Sequence, residues 1–306
     1  MKSIGGYFEL ECGTAEPYHE GIYLNSARNA LRFILRREKC AVVYVPKYTC
    51  PVVYDALKAE KVDIVEYELD ISFLPKEKIS KDAYLIFNNY FGCLGVCVHE
   101  LAKKFKNLIV DNAQAFYSQP MGLAAFYSPR KFFGLPDGGI VAFSGKNLSK
   151  DEEILEQDVS CERMSHLLKR IDYTPEAGYK EFKENSCALE HAPIRKMSRL
   201  TLRLMGNINY MNIAKKRWEN FNYLHERLHS SFPFAMAEDD VPMVYPLFTE
   251  DWTLRQRLID NKIFVARYWP NVEEQNNFAD RILPLPIDQR YNLEDMGRIC
   301  EVIKNA

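Results

Sequence analysis

An α/β fold is what this sequence predicts: a mostly parallel sheet covered by helices on both faces, joined to a smaller C-terminal α+β lobe. Short apolar, β-rich runs alternate with helix-period segments as far as Phe143, which is the pattern of strands linked by crossover helices. From about Asp151 the texture changes to long helical stretches, and the last stretch of about eighty residues returns to short mixed elements. A chain of 306 residues exceeds the size at which a single core stops growing, so two domains are expected, at 1–205 and 206–306, the second including a bridging helix.

The elements follow in order. Asn25 and Ser26 are good N-caps, and Ala27, Ala30, Leu31, Ile34 and Leu35 then recur at helical spacing, giving one buried stripe. Ala41 to Val45 is β-rich, Pro51 suits the first position of a helix, and Val62 to Leu69 reads as the next strand. Tyr84 to Phe87 is a strand that breaks at Asn88, Asn89 and Tyr90; a helix over Val98 to Phe105 and a strand over Leu108 to Val110 follow. Ile140 to Phe143 resumes a strand. Helical stretches are expected over Asp151 to Glu162 and Met197 to His229. In the C-terminal lobe, Met243 to Phe248 and Ile263 to Arg267 are short elements, with helices over Trp252 to Asn261 and Leu293 to Lys304. No internal repeat or low-complexity tract interrupts the order.

Composition narrows the function classes. Apolar residues make up 47% and charged residues 27%, which is a folding composition. Forty basic against forty-two acidic side chains leave a net charge of -2, so no overall field would hold a nucleic acid. No apolar run approaches the length of a membrane span or a signal peptide, and a cytoplasmic protein is expected. Eight scattered cysteines point to reduced thiols. Cys93, Cys97 and His99 lie close together, but no second cluster completes a zinc site, and no metal is expected.

In a parallel sheet, functional residues gather past the carboxyl ends of strands, which here means after Phe87 and after Val110. Asp111 sits directly after an apolar strand, and Gln114 follows three residues on. Further along, Ser128-Pro-Arg-Lys131 precedes Asp137-Gly-Gly139, so a lysine stands between a short loop and a diglycine. Each has an ordinary reading alone: a turn acid, a helix cap, a solvated cation, a tight turn.

Together, Asp111-Asn-Ala-Gln-Ala115 followed by Lys131 and Asp137-Gly-Gly139 resembles the DegT-type sugar aminotransferases, which are fold-type I pyridoxal-phosphate enzymes. Other stretches carry the same likeness. Asn25 to Leu31 resembles the family's Gly-Thr/Ser-Ala-Leu helix start, Pro46-Lys-Tyr-Thr49 its Pro-x-x-Thr element, Lys196-Met-Ser198 its Arg-Met-Ser/Asn element, and Leu283-Pro-Leu-Pro286 its Leu-Pro-Leu stretch.

The resemblance implies a three-layer fold-type I large domain and pyridoxal 5'-phosphate as cofactor. Lys131 is then the Schiff-base lysine and proton shuttle, since a partly desolvated amine can be deprotonated. Asp111 holds the pyridine nitrogen protonated. Gln114 contacts the ring's 3-oxygen. The helix start at Ser26, Arg28 and Asn29 receives the phosphate, with Ser128 nearby. Tyr48 packs on the ring, and Asn88 occupies a comparable crevice position.

The implied reaction moves an amino group from glutamate to a nucleotide-linked keto-sugar, in polysaccharide or lipopolysaccharide biosynthesis, by a homodimer. Gly5 to Phe8, Arg267 to Trp269 and Asp288 to Arg290 are candidates for a substrate entrance, with Arg267 as a carboxylate or diphosphate anchor.

The sequence also departs from the family's pattern. The interval from Asp111 to Lys131 is short, Phe126 stands five before the lysine where serine is usual, and Asp137 replaces a glutamate. Ile194-Arg-Lys-Met197 lacks the asparagine that relatives extend into a neighbouring subunit, leaving Arg195 or Lys196 as substitutes. Two alternatives remain open at this stage: a sugar-modifying enzyme of another reaction type, and a non-catalytic cofactor-binding regulator. The dehydratases among such relatives carry histidine in place of Lys131.

Overall fold

A computed structural model describes residues 9–13, 16–145, 152–228 and 234–304. Its larger sheet has seven strands in the order β1 (Ile22–Leu24), β7 (Gly139–Phe143), β6 (Ala124–Tyr127), β5 (Asn107–Asn112), β4 (Tyr84–Asn88), β2 (Val42–Pro46), β3 (Asp63–Tyr67). Strands β2 to β6 run parallel, and β7 runs antiparallel to both β6 and β1.

The strands are apolar on both sides, and alternate residues feed two separate cores. Val43, Val45, Ile86, Ile109, Phe126 and Val141 pack under α1 (Ala27–Glu38) and α2 (Pro51–Ala59). The opposite parity, including Leu85, Phe87, Leu108, Val110, Ala125 and Tyr127, faces α3 (Gly95–Lys104) and the C-terminal elements. The result is the expected three-layer sandwich. Helix α1 begins as its sequence suggests: the Ser26 side chain accepts from the Asn29 amide at 3.1 Å, and Ala30, Leu31, Ile34 and Leu35 are buried. Pro51 occupies the first turn of α2.

Beyond the sheet lie α4 (Ser165–Asp172), α5 (Tyr179–Glu190), α6 (Arg199–Met205) and α7 (Tyr210–Leu228). A second sheet pairs β8 (Val244–Phe248) antiparallel with β9 (Ile282–Pro286). With α7, α8 (Leu254–Asp260), α9 (Phe278–Arg281) and α10 (Leu293–Lys304), it packs into the same apolar core as one face of the large sheet. No helix among the described residues is long and apolar enough to cross a membrane.

The structure differs from expectation in three regions. The stretch ending at Glu162 is helical in its described part only at residues 152–153: beyond them Gln157 bridges Lys196, the Asp158 amide donates to the Lys196 carbonyl at 3.0 Å, and Cys161–Arg163 forms a single 3-10 turn. Tertiary partners override local preference there. The expected helix from Met197 is two helices, parted at residues 206–209, where Gly206 and Gly13 approach each other too closely for a side chain at either position; His229 lies outside the described residues. Ile263 to Arg267 forms neither helix nor strand.

Candidate active site

Six chain segments meet at the carboxyl edge of the parallel strands. Strand β4 ends in Asn88, which is paired in register with Asp111, the last residue but one of β5. The turn after β2 carries Tyr48 to Cys50, and β6 leads into Ser128 and the short 3-10 turn Pro129–Lys131. Strand β1 delivers Ser26 and the start of α1. Because β7 runs the opposite way, its beginning lies at this same edge, where the Gly138 amide donates to the Asn25 carbonyl at 3.0 Å. The diglycine follows from this close approach. A Cβ on Gly139 would stand 2.5 Å from the Ala27 nitrogen, and Gly138 has a φ of +135°.

A cavity of about 250 Å³ lies among these segments, lined by Lys131, Asp111, Ser26, Arg28 and Ser128. The sequence-derived lysine and acid thus face one space. Burial pushes the Asp111 carboxyl upward, while the Lys131 ammonium and the Ala113 amide, 2.8 Å from Oδ1, pull it down. The Arg28 guanidinium donates through Nη1 to the Leu189 carbonyl at 3.2 Å, and its buried Nε has no partner. An unpaired buried donor beside a helix start is the feature an anionic group would satisfy.

Other expected residues stand elsewhere. The Asn29 side chain serves architecture: its Nδ2 donates to Asn25 Oδ1 and to the carbonyls of Ala192 and Pro193. Tyr48 lines neither cavity of this edge. Its ring is 1% exposed, stacked on Tyr90 at 5.7 Å and packed edge-on to Trp269 at 4.7 Å. Core packing, the ordinary fate of a tyrosine among aromatics, wins there, and Cys50 is the loop residue that reaches the cavity. Asn88 donates to Thr49 Oγ1 at 2.8 Å, fixing that loop, and leaves a buried Oδ1 without a partner. Gln114 accepts the Phe91 amide at 2.8 Å and lines a second, larger cavity. Arg267 pairs with Asp280, and Arg195 bonds Glu156 at 3.1 Å, so neither is a free cation. Gly5 to Phe8 lie outside the described residues.

The second cavity, about 730 Å³, is also lined by Lys131 and is walled by α4 and α5, the small sheet and Asp288 to Arg290. Three cavity-lining positions escaped sequence reasoning. Cys50 and Arg130 line both cavities, and Arg217 lines the larger one. Burial holds the Arg130 guanidinium below its usual pKa while the Asp137 carboxylate acts against that shift. Proximity to Lys131 marked Arg130; Arg217 lay in a polar helical stretch like any solvated charge, and only the fold shows it buried. Asp137 itself is wholly enclosed, accepting from the Ser198 amide at 3.0 Å and from the hydroxyls of Ser198 and Thr201, so it pins the chain before α6 to the start of β7.

No family model matches the chain, and no curated protein matches it. Solved structures do. Spr1654 of Streptococcus pneumoniae in its PLP form, described as a candidate sugar aminotransferase, is 17% identical with a TM-score of 0.64, covering 93% of this chain and 86% of that one. A DegT DnrJ EryC1 StrS aminotransferase from Brucella abortus is 15% identical with a TM-score of 0.63, over 94% and 86% of the two chains. DesV of S. venezuelae, solved in complex with a ketimine intermediate, is 19% identical with a TM-score of 0.62, over 96% and 85%. The chain shares the fold of these pyridoxal-phosphate aminotransferase structures.

Proposed function

We propose that the chain is a pyridoxal-phosphate-dependent aminotransferase that takes an amino group from glutamate and delivers it to a nucleotide-linked keto-sugar, in polysaccharide or lipopolysaccharide biosynthesis. The observation that carries this reading is that Lys131 and Asp111 line one cavity against the start of α1. The residues present fit the cofactor: an amine, a carboxylate coupled to it, and a helix N-terminus with an unpaired Arg28 Nε at the other side. When bound, pyridoxal phosphate supplies an aldehyde that takes up amino groups and a cationic ring that draws electron density from the neighbouring carbon.

The protein's own groups do the rest. Lys131 Nζ would hold the cofactor through its aldehyde carbon and, when free, would carry a proton at the substrate carbon as base and then acid. Asp111 would hold a proton on the ring nitrogen by remaining ionised, and the Ala113 amide and the Lys131 charge favour that state against the cost of burial. Ser26, Arg28 and Ser128 bind the phosphate, with Arg130 a further cation at the join of the two cavities. The larger cavity receives the substrates, its aromatic and basic lining suiting an anionic nucleotide.

Residues 1–205 are assigned to the cofactor-binding domain and 206–306 to the small domain, and the working unit is a cytoplasmic homodimer. Incubation of the purified chain with pyridoxal phosphate and a panel of amino acids tests the reaction. Glutamate is expected to yield 2-oxoglutarate stoichiometrically in a single half-reaction, and Lys131→Ala to yield none. Cofactor uptake without amino transfer from any donor would favour a binding protein instead.

A further inference from the structure

We infer that the α4–α5 pair is the seat of the acceptor's nucleotide, with Arg130, His166 and Arg170 gripping its diphosphate and Tyr179 and Phe182 carrying its base; the inference rests on the aminotransferase reading. Five cations line the larger cavity against one carboxylate, Asp288. Arg290 grips that acid through bonds of 2.6 and 2.8 Å, and Arg217 donates to the Met243 carbonyl at 2.8 Å, so both are engaged. Among the described residues, Arg130 and Arg170 have no carboxylate within ion-pair distance and no hydrogen bond to hold their guanidinium groups. Asp137 and Glu176 act on them electrostatically from beyond that distance, and Asp137 is already held by Ser198, Thr201 and Arg163. His166 stands one turn before Arg170 on the same face of α4 and is 7% exposed. Its Nδ1 is buried with no partner, the nearby Arg163 carbonyl lying outside bonding geometry. Burial and the Arg130 charge hold the imidazole below its usual pKa, so at neutral pH it is an uncharged ring with one N–H to give.

Cations left together without counter-ions repel one another, and such a cluster is kept where an anion arrives to bridge it. A carboxylate brings one charge and two coplanar oxygens, which a single guanidinium satisfies. Donors converging from α4 and from the turn before Lys131 suit a group with more charge and with oxygens in several directions, which is a diphosphate. Beside the cations the wall becomes aromatic. Tyr179 and Phe182 on the first turn of α5 line the cavity while 55% and 44% exposed, and their rings are near-parallel with centroids 6.3 Å apart. The Phe182 ring lies 5.8 Å from that of His166. Large ring faces left to water next to cations complement a base attached to phosphates. The platform is fixed in place: Asn185 Nδ2 donates to the Pro136 carbonyl at 2.7 Å, and Lys169 on α4 pairs with Glu181 on α5. The groups along this wall follow the order of groups in the ligand. The base meets α5, the diphosphate meets Arg170, His166 and Arg130, and the sugar reaches Lys131, the next residue in the chain after Arg130.

The test is calorimetric titration of the full-length chain, without and with pyridoxal phosphate, using inorganic pyrophosphate and a panel of UDP, dTDP, GDP and CDP. At least one nucleoside diphosphate should bind more tightly than pyrophosphate. Arg170→Gln, at an exposed position, should weaken both kinds of ligand about fivefold or more, and Arg130→Gln likewise; should Arg130→Gln fail to fold, Arg170→Gln alone decides. Phe182→Ala should weaken the nucleotide about fivefold or more and leave pyrophosphate within about twofold, because stacking is lost while the charges stay. The assignment is overturned if no nucleoside diphosphate binds at millimolar concentration, if Arg170→Gln leaves every affinity unchanged, or if Phe182→Ala weakens pyrophosphate as much as nucleotide. Pyridoxal-phosphate uptake, read by absorbance in the same proteins, separates the remaining failures. An Arg170→Gln protein that loses cofactor instead of nucleotide would assign these cations to the cofactor and overturn the proposal. A wild-type chain that binds nucleotide but no cofactor would defeat the aminotransferase reading and leave the nucleotide seat standing.

Discussion

Replacing Gly139 by alanine loads the junction on which the proposed phosphate seat depends. The new methyl group would lie 2.5 Å from the Ala27 nitrogen and nearer still to the Ser26 carbonyl, all of them backbone atoms that cannot rotate away. To reach ordinary contact the start of α1 must recede from β7 by about 1 Å. Overpacking of this kind costs about 1–3 kcal/mol, and at about 2–4 °C per kcal/mol for a large domain the melting temperature should fall by roughly 2–12 °C. The functional cost should be larger, since displacing an oriented binding group by about 1 Å can cost about 100-fold. Gly134→Ala is the control: its Cβ meets only Leu167 Cδ2 at 3.6 Å, and the change should stay within about 0.5 kcal/mol. Differential scanning fluorimetry and a pyridoxal-phosphate titration by absorbance read both effects. A Gly139→Ala protein with wild-type stability and wild-type cofactor affinity would refute the claim that the diglycine exists to admit the N-terminus of α1.

Three further outcomes follow from buried carboxylates. Burial raises the Asp111 pKa, so the folded protein holds a proton that the unfolded chain releases, and stability falls as pH climbs through the folded value. Asp111→Asn should therefore raise the melting temperature of the cofactor-free protein at pH 7, with the gain fading below about pH 4, while cofactor retention drops; a lower melting temperature at pH 7 would contradict this. Asp240, raised to about 6 by burial while accepting the Gly95 and Ala237 amides at 3.0 and 2.8 Å, makes wild-type stability decline between about pH 4 and 6 by up to about 3 kcal/mol. Urea melts of Asp240→Asn should lose that slope. Asp137→Ala strands the Ser198 amide and two hydroxyls, while Arg163 keeps its Asp158 partner at 3.0 Å, and chemical denaturation should show a loss of about 1–3 kcal/mol, against less than about 0.5 kcal/mol if the site were merely a solvated turn.

Much of the sheet was legible because each buried strand announces itself locally. Runs such as Tyr84 to Phe87 and Leu108 to Val110 are apolar on both faces, and an acid directly after such a run must lie at the carboxyl edge. Asp111 and Lys131 were legible for that reason, and they do share a cavity. Strand β1, only three residues long, carries too few positions to show a period. The break at Gly206 depends on Gly13, nearly two hundred residues away, and the stretch before Glu162 is held straight by Lys196; neither constraint is written nearby. Side-chain direction was the least legible property of all. Tyr48 and Cys50 are two apart in one loop, yet the tyrosine turns into an aromatic core while the cysteine reaches both cavities. Arg217 differs from its charged neighbours on α7 only in burial, which tertiary packing decides.

Borohydride reduction of the chain loaded with pyridoxal phosphate, followed by digestion and mass spectrometry, tests the central claim most directly. A single phosphopyridoxyl group on the peptide containing Lys131, lost in Lys131→Ala without loss of fold, is the predicted result. Labelling spread over surface lysines, or confined to a different lysine, would contradict it.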